Sequence, residues 1–257
     1  MFLAVDIGNT TIAVGIYDYD SGTLIAHWRL SSILHTSDEL GIYLLNLLRM
    51  KNLLPEKITG AAFASVVPSL DFPFSEAIRN YFGFEALQVD ASTKIDMKIR
   101  YKNPREVGAD RIVAAYAGRE KYGAPLVVVD YGTAITLDAV SSEGDYLGGA
   151  IAPGLFSGIS ALFSKAAKLP KVALKIPESV IGGNTDEAIR SGILFGNAGL
   201  TDRIVELIRQ EIGTNAKVVA TGGHAELMSK ISRSIDHVDS WLMLDGLRLI
   251  YEKVNHA

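Results

Sequence analysis

The chain has no cysteine among its 257 residues, which removes disulfides and thiolate-bound zinc and fits a reducing compartment. It has no run of lysine or arginine, and its formal charge is −4. A basic stripe for a nucleic-acid backbone is therefore missing, and no nucleic-acid partner is expected. No apolar run reaches the ~18 residues that suggest a bilayer span. No charged segment followed by an apolar stretch opens the chain, so neither membrane nor secretion is expected, and the expected location is cytoplasmic. Asn9-Thr10-Thr11 matches the glycosylation pattern and is read as chance. Also missing are G-x-x-x-x-G-K-[ST] and G-x-G-x-x-G, which excludes the P-loop, Rossmann and protein-kinase ways of holding phosphate. Five histidines, at 27, 35, 224, 237 and 256, fall at no metal-ligand spacing. Gly154-Leu155-Phe156-Ser157-Gly158 places its serine one position too late for a nucleophile elbow. With 48% apolar and 21% charged residues the composition is that of a globular protein, large enough for one big domain or two small ones.

What the chain does have is one pattern written twice. Residues 4–18 read AVDIGNTTIAVGIYD, and residues 127–138 read VVVDYGTAITLD. Each is a β-branched apolar run, then Asp-x-Gly, then hydroxyl residues, then a second apolar run, which predicts a strand, a tight turn and a second strand. Asp6 corresponds to Asp130, Gly8 to Gly132 and Thr10 roughly to Thr133. A carboxylate ends the first strand, glycine lets backbone approach an anion, and the N–H and hydroxyl groups after it suit phosphate oxygens. A single such turn is equally well an ordinary β-turn; the second copy is what favours phosphate. Asp6 would then hold Mg2+, through water, while Gly8 to Thr11 cradle the transferred phosphate. An α/β chain of two similar halves, each with one phosphate loop and a nucleotide cleft between them, resembles the ribonuclease-H-like, actin-like ATPase fold of sugar kinases and Hsp70.

The rest of the chain fits two halves, 1–118 and 119–257. Strands are expected at 2–6, 11–17 and 24–30, then a helix capped by Ser37 or Asp38 with Leu40, Tyr43, Leu44, Leu47 and Leu48 at helical spacing. A strand at 61–67 ended by Pro68, a helix at 74–82 and a strand at 86–89 complete the first half. The second is expected to have strands at 126–130, 134–140 and 145–152, a helix near 155–165 and an excursion over 168–184. A helix follows from Thr185 or Asp186 to about Ile212, then a strand at 218–220, a turn at Thr221-Gly222-Gly223, and helices at 225–230 and 246–254. Gly148 to Gly154 reads as a tight approach to a helix, and His224 as solvated.

Near the end of the first half, Gly108 precedes a helix with an apolar face of Ile112, Ala115 and Tyr116. Asp110 falls in its first turn, where the helix dipole should lower its pKa and keep it ionised. An ionised carboxylate there can accept a proton from an attacking hydroxyl, although the dipole contact alone also accounts for it. Arg111 suits either a substrate carboxylate or a surface salt bridge. The Thr221-Gly222-Gly223 turn suits adenosine lying on bare backbone, or a plain strand-to-helix turn.

Taken in order, DIGNT at 6–10, YKNP at 101–104, GADR at 108–111, DYGTA at 130–134, GGAIAPG at 148–154, TGG at 221–223 and DGL at 245–247 resemble the type III pantothenate kinase family over nearly the whole chain. The resemblance implies ATP-dependent phosphorylation of pantothenate to 4'-phosphopantothenate, the first step of coenzyme A biosynthesis. It also implies a homodimer that uses Mg2+ and a monovalent cation, K+ or NH4+. By the same resemblance Asp110 is the base, and Gly108, Ala109, Asp110 and Arg111 line the pantothenate site. Tyr101 closes one side, and Thr185 reaches the substrate from its own subunit or across the dimer. Asp6, Ile7, Gly8, Asn9, Thr10, Thr11, Ile12, Ala13 and Thr133 meet ATP, and Asp130 holds the monovalent cation, which would offset phosphate charge without a lysine. Some members carry lysine where this chain has Ala13, so no cationic contact is expected from that strand. Two other readings share the fold: a kinase for another small hydroxylated acid or a sugar, and a nucleotide-binding regulator without turnover. The carboxylates Asp6, Asp110 and Asp130, all in place, argue against the regulator.

Overall fold

The computed structural model describes residues 1–33, 35–165 and 173–255. The chain forms two compact units, one of Met1–Met97, Lys102–Ala117 and Leu242–Ala257, the other of Lys98–Tyr101 and Gly118–Trp241. This corrects the simple division into 1–118 and 119–257. The C-terminal segment returns to the first unit because the Tyr17 hydroxyl donates to Asp245 Oδ1 at 2.7 Å and the Phe2 and Tyr251 rings pack at 4.8 Å. Lys98–Tyr101 joins the second unit through backbone hydrogen bonds with Tyr146.

The first unit contains β1 (Phe2–Ile7), β2 (Thr11–Tyr17), β3 (Leu24–Ser31), α1 (Ser37–Met50), β4 (Gly60–Ser65), α2 (Pro68–Phe82) and β5 (Leu87–Val89). Its sheet runs β3-β2-β1-β4-β5. Alternate residues Leu3, Val5 and Ile7 of β1 and Ile12, Val14 and Ile16 of β2 face one core, shared with Leu40, Leu44, Phe63 and Phe74, as strand periodicity requires. Two helix starts differ from expectation. Thr36, not Ser37 or Asp38, caps α1: its hydroxyl accepts from Glu39 N–H while Glu39 Oε2 accepts from Thr36 N–H at 2.8 Å, a reciprocal box. Pro68 was expected only to stop a strand, yet it opens α2, where a missing N–H costs nothing.

After α3 (Ala109–Tyr122), the second unit contains β6 (Leu126–Tyr131), β7 (Ala134–Val140), β8 (Tyr146–Pro153), α4 (Leu155–Lys165), α5 (Thr185–Ile212), β9 (Lys217–Thr221), α6 (Ala225–Met228) and β10 (His237–Val238); α7 (Leu242–Asn255) closes the chain. The second sheet runs β10-β9-β6-β7-β8. Read from the other edge it matches the first strand for strand, so the repeat seen in two sequence motifs is a repeat of topology. Val127, Val129, Tyr131, Ile135 and Leu137 form its core with Leu155, Leu194, Ala198, Val205 and Val218. Asn184 is the cap of α5, accepting from Glu187 N–H at 3.0 Å, and Thr185 is the first helical residue. Of the expected excursion over 168–184, residues 168–172 lie outside the described residues. Residues 173–184 have neither helix nor strand, although Leu174 and Ile176 pack on the core.

Candidate active site

Asp6 and Asp130 occupy the same place, the fifth residue of β1 and of β6. Ile7 pairs with Ile12 and Tyr131 with Ile135, so Gly8-Asn9-Thr10-Thr11 intervene in the first turn and Gly132-Thr133-Ala134 in the second. Each turn is closed by its glycine: Gly8 N–H donates to the Thr11 carbonyl at 3.1 Å and Gly132 N–H to the Ala134 carbonyl at 3.0 Å. Counted back from the second strand, Thr10 matches Thr133, and Asn9 is the additional residue. Ile7 and Ile12 are buried in the core, so only their backbone can meet a ligand. Asp6 and Ala13 pair across the ladder and point to the opposite face. Asn9, Thr10 and Thr133 are exposed.

The second turn is fastened from below. The Thr133 carbonyl accepts Gly154 N–H at 3.2 Å and Ser157 Oγ–H at 2.8 Å, which gives the serine of the GLFSG run a structural use. Thr221 pairs with Asp130, and Gly222 follows with φ +89, a conformation that favours glycine. Its bare side faces Asp130 Oδ1, and a Cβ there would stand 2.8 Å from the Tyr131 carbonyl oxygen. Gly222 is therefore needed for room, because the Asp130 carboxylate and the Tyr131 carbonyl, both hard oxygen donors, stand where a side chain would clash. His224 is not simply solvated. Its ring meets Phe156 edge-on at 5.2 Å, and its Nδ1 is buried without a hydrogen bond.

At the start of α3, the Gly108 carbonyl accepts the N–H groups of Arg111 and Ile112. Asp110 Oδ1 accepts Arg111 N–H at 2.8 Å and folds back into the space that a Cβ at Gly108 would occupy. Gly108 is thus needed for room rather than for backbone freedom. The same bare position lies 3.7 Å from Val66 Cγ1, and Val66 N–H donates to the Ile7 carbonyl at 3.0 Å. The GADR turn therefore stands at the strand end that carries Asp6.

The expectation of a lowered pKa at Asp110 is corrected. Burial lifts it above the ordinary carboxylate value, against the opposing pull of the Arg111 N–H and the Arg111 charge. Desolvation of the carboxylate outweighs the helix terminus. Arg111 is buried, 7% exposed, and is not a surface salt bridge.

Ala109 is buried. Tyr101 lies on β8, its ring against Gly148, and Thr185 is exposed at the first turn of α5. Asp6 and the 108–111 turn thus share one strand end of the first unit. Asp130, Thr133 and Thr221-Gly222 come together in the second. Sequence reasoning missed Gly154 and Ser157 as supports of Thr133, because only the folded register brings them there. Among the described residues no cluster of three or more His, Asp or Glu could hold a metal, and no helix is long and apolar enough to cross a membrane.

The sequence profile of the type III pantothenate kinase family matches residues 2–207. A type III pantothenate kinase of Koribacter versatilis (strain Ellin345) is 44% identical, with 98% of this chain and 96% of the relative covered. Another, of Anaeromyxobacter sp. (strain Fw109-5), is 46% identical over 98% and 99%. Among solved structures, the activator of the 2-hydroxyisocaproyl-CoA dehydratase from Clostridium difficile, with bound ADPNP, is alike in fold: TM-score 0.51 at 13% identity, over 99% of this chain and 94% of that one. The paired five-stranded sheets are those of the two-half, actin-like ATPase fold. By profile and by identity along almost its whole length, the chain belongs to the type III pantothenate kinase family.

Proposed function

We propose that this chain transfers the γ-phosphoryl group of ATP to the hydroxyl of pantothenate, with Asp110 as general base. The observation that carries this is the setting of Asp110: a partly buried carboxylate of raised proton affinity, beside the strand end that bears Asp6. The pantothenate oxygen forms the new bond to phosphorus as the bond from phosphorus to the ADP oxygen breaks, and the hydroxyl proton passes to Asp110 Oδ2. The transition state of such transfers is loose, so positioning and charge matter more than early proton removal. A raised pKa still helps, because a base works best when its pKa lies nearer the working pH.

Arg111 pairs with the pantothenate carboxylate beside Gly108 and Ala109, and Tyr101 is a further pantothenate contact. Gly8 to Thr11 and Thr133 offer N–H and hydroxyl donors to phosphate oxygens. Asp6 suits Mg2+, an ion commonly held by one carboxylate, water and nucleotide phosphates rather than by a protein cage. Asp130, with the Tyr131 carbonyl, suits K+ or NH4+; such an ion supplies positive charge that offsets phosphate. The chain acts as a cytoplasmic homodimer, and exposed Thr185 reaches the substrate from its own subunit or across the dimer.

The test is an acceptor panel assayed for ADP release in the presence of K+ or NH4+. Pantothenate is expected to be turned over far faster than sugars or other hydroxy acids. Equal turnover of a sugar would overturn the assignment, and ATP binding without turnover of any acceptor would favour the regulator.

A further inference from the structure

Tyr101 sits in a four-residue stretch that has little sequence of its own to hold it, yet the stretch is anchored at every residue. Tyr146 N–H donates to the Lys98 carbonyl at 2.9 Å, and Arg100 N–H donates to the Tyr146 carbonyl at 2.7 Å. Ile99 and Tyr146 form a parallel bridge. Asp145 then holds the stretch through both carboxylate oxygens. Its Oδ1 accepts Lys98 N–H at 3.2 Å, and its Oδ2 accepts Arg100 Nε at 2.9 Å and Nη2 at 2.8 Å.

Asp145 is well placed for this. The residue is 8% exposed, and its N–H and carbonyl are both tied to Ser141. The Arg100 hydrogen bond holds its carboxyl below the ordinary range, so the pair stays charged. Next to it, the Tyr146 hydroxyl donates to buried Asp138 Oδ1 at 2.7 Å. The ring of Tyr101 then rests on Gly148, where an added Cβ would stand 3.0 Å from two ring carbons. Gly148 has φ +108, so this bare platform depends on glycine in both shape and conformation.

Resting on the reading of Tyr101 as a pantothenate contact, we propose that Asp145, Arg100 and Gly148 are positioning residues that fix Tyr101 against β8 and so set the affinity for pantothenate. None of the three needs to touch the substrate. Their work is to remove the freedom of a side chain that does, which favours binding by sparing the cost of ordering it.

Two readouts test this. In amide hydrogen exchange, Arg100→Ala and Asp145→Asn should speed exchange at the Arg100 and Tyr146 amides. In steady-state kinetics both should raise the pantothenate KM about tenfold, the scale of one charge-assisted hydrogen bond. The kcat and the KM for ATP should stay within about twofold of wild type. Asp145→Glu, which keeps the charge, should recover most of the loss. Gly148→Ala should raise the same KM by a separate route, by displacing the ring. An unchanged pantothenate KM in Arg100→Ala and Gly148→Ala overturns the proposal, as does a fall in kcat and melting temperature with that KM unmoved. If the wild-type protein turns over no pantothenate at all, the reading of function fails, while exchange at Arg100 still reports on the anchor alone.

Discussion

At the scale of single residues, the proposed chemistry turns on one carboxylate. Because burial raises the pKa of Asp110, the native state holds that proton more tightly than the unfolded chain does. Its contribution to stability is therefore fully present below the unfolded pKa and is lost as pH rises through the native value. Two consequences follow in opposite directions. Asp110→Asn should melt no lower than wild type near neutrality, because it removes a charge that burial disfavours. The same change should lower kcat by roughly 10²- to 10⁴-fold, the range of a lost general base. In wild type, kcat/KM should rise with pH through a midpoint above the ordinary carboxylate range; a midpoint below it would contradict the assignment. The place of Asp110 was legible from GADR, but the direction of its pKa was not. A helix dipole can be read from neighbours in sequence, whereas desolvation depends on what folding packs around the carboxylate. Gly222 gives a second prediction at this scale. Gly222→Ala drives a methyl into the Asp130 carboxylate, and about tenfold more K+ should be needed for half-maximal rate if Asp130 holds the ion. An unshifted K+ dependence would remove Asp130 from that role.

At the scale of elements, the two hairpins were fully legible. Their β-branched apolar runs on either side of Asp-x-Gly indicate strand, turn and second strand together. What the sequence left open were the ends and fastenings. Thr36 and Glu39 close their box only when the helix is formed, and Pro68 carries the same signal whether it ends a strand or opens a helix. The support of Thr133 is of this second kind, since Ser157 lies far along the chain and in another element. Ser157→Ala should loosen the second turn and raise the KM for ATP several-fold, on the order of 1 kcal/mol for one lost hydrogen bond, with the pantothenate KM unaffected. An equal rise in both constants would point to general damage instead.

At the scale of the whole molecule, the duplication is what made the fold readable. β3-β2-β1-β4-β5 and β8-β7-β6-β9-β10 are one plan used twice, and the Asp6 and Asp130 motifs announced it. The division of the chain was less legible, because α7 and Lys98–Tyr101 each join the unit that their position in sequence does not suggest. Tyr17 to Asp245 and Lys98 to Tyr146 are contacts between distant residues, with no local pattern to betray them. If Thr185 serves the partner's site, two inactive variants, Asp110→Asn and Thr185→Val, should complement on mixing and subunit exchange. Random two-fold dimers would then recover roughly a quarter of the wild-type rate. No recovery after verified exchange would place Thr185 in its own subunit's site.

The most direct measurement is pantothenate-dependent ADP release, followed side by side for wild type and Asp110→Asn at saturating ATP, Mg2+ and K+. The account predicts rapid release by wild type that vanishes without pantothenate, and a loss of at least about 100-fold in Asp110→Asn while nucleotide binding is retained. Release by Asp110→Asn at the wild-type rate would contradict it.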